Sequence, residues 1–326
     1  MKTPDTSIPA RGHNVIRWLR LWGTTAFLVA LLIGLAALNP HFLTIRNLLN
    51  ILTEVSIFGI VAVGMTFVIV SGGVDLAVGS LLAFAAMAGA IAAQKAGVHS
   101  AAEWGVALSV SLLVGGLVGW VQGRAVTLVG IPPFIVTLGG MTIWRGATLV
   151  LNDGGPVNGF GPDLRWWGSG TILGLPVPVL VFGAIVAAGV IVERYSRYGR
   201  QIYAVGGNAE AARLSGLDVP ALIASVYAIV GLLSGLAGFL LASRLGSAEA
   251  VAGTGYELRI IASVVIGGAS LSGGRGTIAG TIVGALLIGV LSNGLVIMHV
   301  SAYWQQIVIG LIIVAAVAFD GYARRL

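Results

Sequence analysis

The chain contains no cysteine, and only 9% of its 326 residues are charged. The first absence excludes disulfides and thiolate metal sites and leaves the redox compartment unread. The second excludes an ordinary soluble domain, in which about 25% of residues are charged. Histidines are few and scattered: His13, His41, His99 and His299 fall in separate loops or termini, none with a partner at metal-ligand spacing. Catalytic signatures are missing too. There is no Gly-x-Ser-x-Gly elbow, no His-Glu-x-x-His and no Gly-Lys-Ser/Thr to complete a phosphate-cradling loop. The chain therefore reads as neither a hydrolase nor an ATPase.

What it has instead is hydrocarbon: 57% of the residues are hydrophobic and 49 are glycine. In water such a chain would leave more apolar surface than one core can bury. Lipid is the solvent that fits. Apolar runs recur at roughly 21–38, 51–70, 77–95, 104–122, 134–151, 176–193, 221–243, 257–271, 277–297 and 303–319, which predicts an all-α bundle of ten transmembrane helices. The first run exceeds a signal peptide's apolar core, and no cleavage site follows it. Residues 1–20 thus read as a cytoplasmic N-terminal segment, 21–320 as the transmembrane domain and 321–326 as a cytoplasmic tail.

The formal charge of +6 does not point to nucleic acid, because the basic residues sit singly between apolar runs. About 12 of the 18 fall on the side of the N-terminus: Lys2, Arg11, Arg17, Arg20, Arg124, Arg194, Arg197, Arg200, Arg213, Arg275, Arg324 and Arg325. Arg46, Lys95, Arg165 and Arg244 fall outside, and Arg145 and Arg259 sit within spans near the outer face. The bias supports an even span count with both termini inside.

Two loops exceed a turn. The outer one, 152–176, is rich in Gly, Pro and Trp, and its Trp166–Trp167 pair suits anchoring in the interfacial layer. The inner one, 194–220, carries helix signals: Asn208 as N-cap, Glu210 in the first turn, Arg213 late and Gly216 as a left-handed stop. They enclose a helix of about seven residues. It reads either as a plain connector or as a capped, alanine-rich element that docks on a partner.

A second unusual segment is Ser71-Gly72-Gly73-Val74-Asp75-Leu76-Ala77-Val78-Gly79-Ser80. Adjacent glycines release backbone from regular helix, and unwound backbone at membrane depth survives only in protein or beside a wet cavity. Asp75 at a helix centre in lipid would cost about 2.5–3.5 kcal/mol on insertion scales. It either lines a path or caps the next helix by accepting from the Ala77 and Val78 amides. Gly72 to Gly79 also resembles Gly267 to Gly274, the mark of a duplicated transporter half with broken helices. The glycine-rich stretches 113–119, 231–238 and 280–289 read as close helix packing.

Ser71 to Ser80 is similar to a signature of the monosaccharide-type ABC import permeases, the ribose, xylose and arabinose permease family. So are Pro132-Pro133-Phe134-Ile135-Val136-Thr137-Leu138-Gly139, Gly206 to Gly216, Ile266 to Thr277 and Gln306 to Gly310. The likeness runs in order along nearly the whole chain. It departs at Ala77, where the family usually has serine, and at Ile309, where lysine is frequent. The resemblance implies an inner-membrane permease subunit that binds no cofactor itself. Its partners would be an ATPase subunit carrying ATP and Mg, a periplasmic sugar-binding protein and a second permease copy. It implies an ATPase-coupling element at Gly207, Asn208, Glu210, Ala211, Ala212, Arg213, Leu214, Ser215 and Gly216. Ser71, Gly72, Gly73, Asp75, Ser80, Phe134, Thr137 and Asn293 are expected along the translocation path, and Arg165 and Arg244 at the binding protein. A pentose or deoxyhexose is the expected solute. Competing readings are a nucleoside or branched-chain amino acid permease, an ion-coupled secondary transporter working through Asp75, and a membrane scaffold.

Overall fold

Lipid supplies no water to exposed backbone, so each crossing segment must close its own hydrogen bonds, and here it does so as helix. The computed structural model describes residues 10–97 and 102–323. Lys2, His99, Arg324 and Arg325, and with them half of the predicted tail, lie outside those residues. In order the helices are α1 (Ala10–Leu38), α2 (Ile45–Val70), α3 (Val78–Ala96), α4 (Glu103–Leu128), α5 (Pro133–Leu151), α6 (Pro162–Ser169) and α7 (Val177–Tyr195). There follow α8 (Arg197–Gly207), α9 (Ala209–Leu214), α10 (Val219–Leu245), α11 (Tyr256–Ile266), α12 (Ile278–Ile297) and α13 (Ala302–Ala323). Two antiparallel pairs of two-residue strands, β1 (Val157–Asn158) with β4 (Ser247–Ala248) and β2 (Thr171–Ile172) with β3 (Leu175–Pro176), tie loops together.

A helix occupies each of the ten predicted positions. Among the described residues, seven of these helices (α2, α3, α4, α5, α7, α10 and α12) are long and apolar enough to cross a membrane. The chain is a polytopic helical membrane protein. α11 departs from its predicted range of 257–271: it stops at Ile266 after 11 residues. At 1.5 Å per residue that is about 16 Å, half of a hydrocarbon core of about 30 Å. The inner loop departs as well, since a helix the sequence signals did not show, α8, precedes α9. Ser196 caps α8 by accepting the Gly199 amide at 2.9 Å, and Gly199, Ile202 and Val205 form its buried face.

α2 is the central pillar, buried through almost its whole length. α4 and α10 lie along each other with glycine at the crossing. A methyl at Gly115 would collide with the Gly231 carbonyl, one at Gly119 with the Tyr227 carbonyl, and one at Gly123 would come within 2.7 Å of the Ala224 Cα. The glycine-rich stretches thus serve close approach, where dispersion holds helices together in lipid. α5 is the contrasting case: of its 19 residues only Thr137, Gly140 and Thr148 are buried. The Trp pair divides: Trp166 is exposed, and Trp167 is half-buried and packs on Trp104 and Phe239, at 5.1 and 6.1 Å between ring centres.

Candidate functional site

The two glycine segments fold into the same turn. At the end of α2, Gly72 N–H bonds the Ile69 carbonyl at 3.0 Å and Gly73 N–H the Val68 carbonyl at 2.9 Å. At the end of α11, Gly268 N–H bonds Val265 and Ala269 N–H bonds Val264, at 2.9 and 3.1 Å. Gly72 and Gly268 take φ values of +87° and +94°, the left-handed stop that favours glycine. The repeat is real, with its register shifted by one from the sequence match: Gly72 corresponds to Gly268, and Gly267 to Ser71.

The turns meet under α8. Gly274 N–H, in the loop after α11, donates to the Val70 carbonyl at 2.8 Å. Gly206, near the end of α8, lies so close to that bond that a methyl there would collide with the Val70 oxygen and come within 2.7 Å of the Gly274 nitrogen. A second tie runs through Tyr203, whose hydroxyl lies 2.8 Å from Glu193 Oε1 on α7 and 2.7 Å from the Gly276 carbonyl. Burial, then the hydrogen bond and charge of Glu193, raise the Tyr203 pKa and keep its proton in place. Glu193 also accepts the first amide of α12, from Ile278. α8 is therefore clamped to α2, α7, α12 and both glycine turns.

α9 projects beyond this clamp. The Asn208 side chain accepts the Ala211 amide at 2.9 Å, and Glu210 pairs with Arg213 at 2.6 Å, which holds the Glu210 carboxyl below its ordinary range. Gly216 closes the element at φ +85°. Only Ala212 of its six residues is buried, and Leu214 is 75% exposed. The predicted capped helix is present, as an exposed knob on a rigid base.

From Val70 the broken segment climbs inward. Tyr227, about 12 Å along α10 at 1.5 Å per residue, donates to the Val74 carbonyl at 3.1 Å. Thr137 of α5 reaches that oxygen at 3.4 Å. α3 thus begins inside the bundle, and α11 begins there too. A methyl at Gly79 would collide with Glu257 Oε2 and approach the Gly253 carbonyl at 2.5 Å, so the N-termini of α3 and of the short α11 converge at the Glu257 carboxylate. Arg145 fixes the segment ahead of α11 by donating to the Ala250 and Ala252 carbonyls at 2.6 and 2.9 Å.

The predicted path residues separate on this geometry. Ser71, Gly72, Gly73, Asp75, Ser80 and Thr137 come together along the broken segment, while Phe134 lies exposed at the α9 end of α5. Asp75 is fully buried. Its Oδ1 accepts the Ala77 amide at 2.8 Å, half of the predicted cap, and its Oδ2 has no partner. Asn293 stands apart, exchanging amide hydrogen bonds of 2.9 and 3.0 Å with Asn47 across α2 and α12. Arg165 and Arg244 lie on neighbouring segments, since Gly168 of α6 packs on the Arg244 backbone and Arg165 Nε lies 3.6 Å from where a methyl at Gly246 would stand, and both arginines are exposed. Sequence reasoning missed Gly206, Glu193, Glu257 and Gln122, although the last two offered a signal: a polar side chain inside an apolar span.

Residues 47–317 match the family model described as branched-chain amino acid transport system / permease component. The ribose import permease protein of Escherichia coli (strain K12) is 44% identical over 318 residues, covering 96% of this chain and 98% of that protein. Its counterpart in Bacillus subtilis (strain 168) is 44% identical over 298 residues, 90% of each chain. The D-allose transport system permease protein of Escherichia coli (strain K12) is 41% identical over 299 residues, 91% of this chain and 90% of that protein. No solved structure matches the chain significantly.

Proposed function

This chain belongs to the family of transport-system permease components, and from that premise we propose that it is the membrane-spanning subunit of an ABC importer for a monosaccharide. It is a transport subunit and not an enzyme; ATP and Mg are handled by a separate ATPase chain. The observation that carries the coupling reading is the seating of α8. An exposed, capped knob at α9 leads through Gly206 directly onto the junction of both glycine turns. A push on α9 by closing ATPase domains reaches the ends of α2 and α11 together, and from there the broken segment.

The family description names branched-chain amino acids, whereas full-length relatives are named for ribose and D-allose. The geometry favours the sugars. Half-helix N-termini at membrane depth attract a substrate's carboxylate. Here that position is filled by Glu257, which would repel an amino acid's carboxylate and leaves a neutral polyol unopposed.

The remaining assignments follow from this reading. The α9 end faces the cytoplasm, across the inner membrane from a periplasmic sugar-binding protein that docks at Arg165 and Arg244. A second copy supplies the other half of the pore, packing on α5, where Gly139 and Gly146 stand open two turns apart. Proteoliposomes holding the chain with its ATPase and binding protein test the proposal. ATP-dependent uptake of D-ribose or D-allose is expected. Leucine uptake in its place, or sugar uptake without ATP, overturns it.

A further inference from the structure

The described residues contain a short list of buried side-chain polar atoms with no hydrogen-bond partner in the protein, and most of it falls on one seam. Asp75 Oδ2, both amide atoms of Gln122, and Trp144 Nε1 are on it. Asp75 is fully buried and Gln122 is 4% exposed. Gly140 of α5 joins them. A methyl there would collide with the Gln122 amide oxygen and touch the Ala77 Cβ at 3.3 Å, and Ala77 is the residue whose amide holds Asp75. Trp144 lies one turn further along α5, its ring 5.1 Å from that of Phe84 on α3. An unsatisfied buried polar atom is costly, and native folds retain few of them. Four on the underside of the most lightly covered of the seven candidate spans call for a ligand.

We propose that Asp75, Gln122 and Trp144 form a station for a neutral, hydroxyl-rich solute, uncovered when α5 lifts from α3 and α4. The inference rests on the monosaccharide reading and names where in the membrane the sugar is handled. A carboxyl and an amide offer acceptors and a donor to adjacent hydroxyls, each of which both donates and accepts. The indole adds a second donor and an aromatic face for the sugar's C–H surface. A single carboxylate with no second anion beside it is a poor cation cage, and the seam's mixed donors and acceptors suit hydroxyl better than ammonium. With α5 seated, Gly140 lies against Gln122 and the station is shut.

The test uses the complete importer in proteoliposomes with the variants Gln122→Leu and Gln122→Met. Both remove the partnerless atoms at near-constant volume. Sugar moved per ATP is expected to fall about five- to tenfold, the loss of a hydrogen bond or two. The melting temperature in detergent should hold or rise, because a buried polar cost has been removed. A structural role predicts the reverse on both counts. A deoxy analogue that the binding protein still delivers supplies the second readout. Its handicap relative to the parent sugar should shrink in the variants if Gln122 meets the missing hydroxyl, since the delivery step is common to both proteins. Wild-type sugar transport in either variant, or an unchanged handicap, overturns the station while leaving the importer reading intact. A wild-type complex that imports no sugar overturns both.

Discussion

Gly206→Ala puts the coupling geometry to a quantitative test. The new methyl would meet the Val70 carbonyl and the Gly274 amide, two backbone groups already joined by a 2.8 Å hydrogen bond. Neither is the end of a flexible side chain, so relief requires moving α8 or opening the bond. Overpacking costs about 1–3 kcal/mol, and a buried backbone pair left unmade costs a similar amount. Against this, alanine in a helix gains about 0.5–1 kcal/mol over glycine. The net is about 1–5 kcal/mol, enough to lower the melting temperature of a 326-residue chain by about 2–8 °C. Gly207→Ala, one residue on with open space around it, carries the same helix gain and no collision. It should leave the melting temperature at or slightly above wild type. Thermal unfolding in detergent compares the two, and ATP consumed per sugar imported reports coupling. The ratio should rise steeply for Gly206→Ala. An unshifted melting temperature together with normal coupling in Gly206→Ala would refute the claim that α8 sits rigidly on the glycine turns.

Asn208→Ala removes the cap of α9 and about 1 kcal/mol with it; faster amide exchange over residues 209–214 and weaker ATPase stimulation are expected, without loss of the membrane core. The Glu210 carboxyl, lowered by Arg213, gives its helix support fully above the ordinary carboxylate range and loses it as pH falls through the lowered value. Coupling should therefore be flat from neutral pH upward, and a decline between neutral and mildly alkaline pH would contradict the pairing. Asn293→Leu strands the Asn47 amide oxygen at a cost of about 1–3 kcal/mol, while the Asn47 NH2 keeps its bond to the Phe42 carbonyl. If the pair serves only to join helices, transport per folded molecule should not change, whereas a loss of transport would put Asn293 on the path as the sequence suggested. Arg165→Glu with Arg244→Glu should raise the binding-protein concentration needed for half-maximal uptake and leave the melting temperature unchanged.

The helices were legible because their signal is local: a run of apolar residues announces a crossing wherever it stands. So was the α9 cap, since Asn208, Glu210, Arg213 and Gly216 lie within nine positions and each acts on its own helix. α8 was not legible, because Arg197 to Gly207 carries two arginines and ends in two glycines, and its formation rests on packing against α2, α7 and α10. The repeat was found but misregistered for a related reason. The paired glycines at each turn look alike in sequence, and only the left-handed φ at Gly72 and Gly268 says which pair corresponds. Asn293 shows the limit from the other side. A lone amide in an apolar span suggests a lumen, yet its partner Asn47 stands 246 residues away, and no local pattern joins them.

These cases share one cause, and it bears on how the chain works. Residues whose role was legible act on their own helix; those missed act on backbone brought to them by the fold. Gly206 matters because Val70 and Gly274 arrive from opposite ends of the chain, and Gln122 because Gly140 lies against it. Both are contacts of the kind a helix displacement makes or breaks in one step, since neighbouring backbones at that range have no compliant side chain between them. If α9 is pushed, Gly206 cannot yield without carrying Val70 with it. Val70 ends the central helix and begins the segment that holds Asp75 under α5. On this geometry the stroke needs no long relay. The same seven residues, Val70 to Leu76, are anchored to α8 at one end and carry Asp75 into the polar seam at the other.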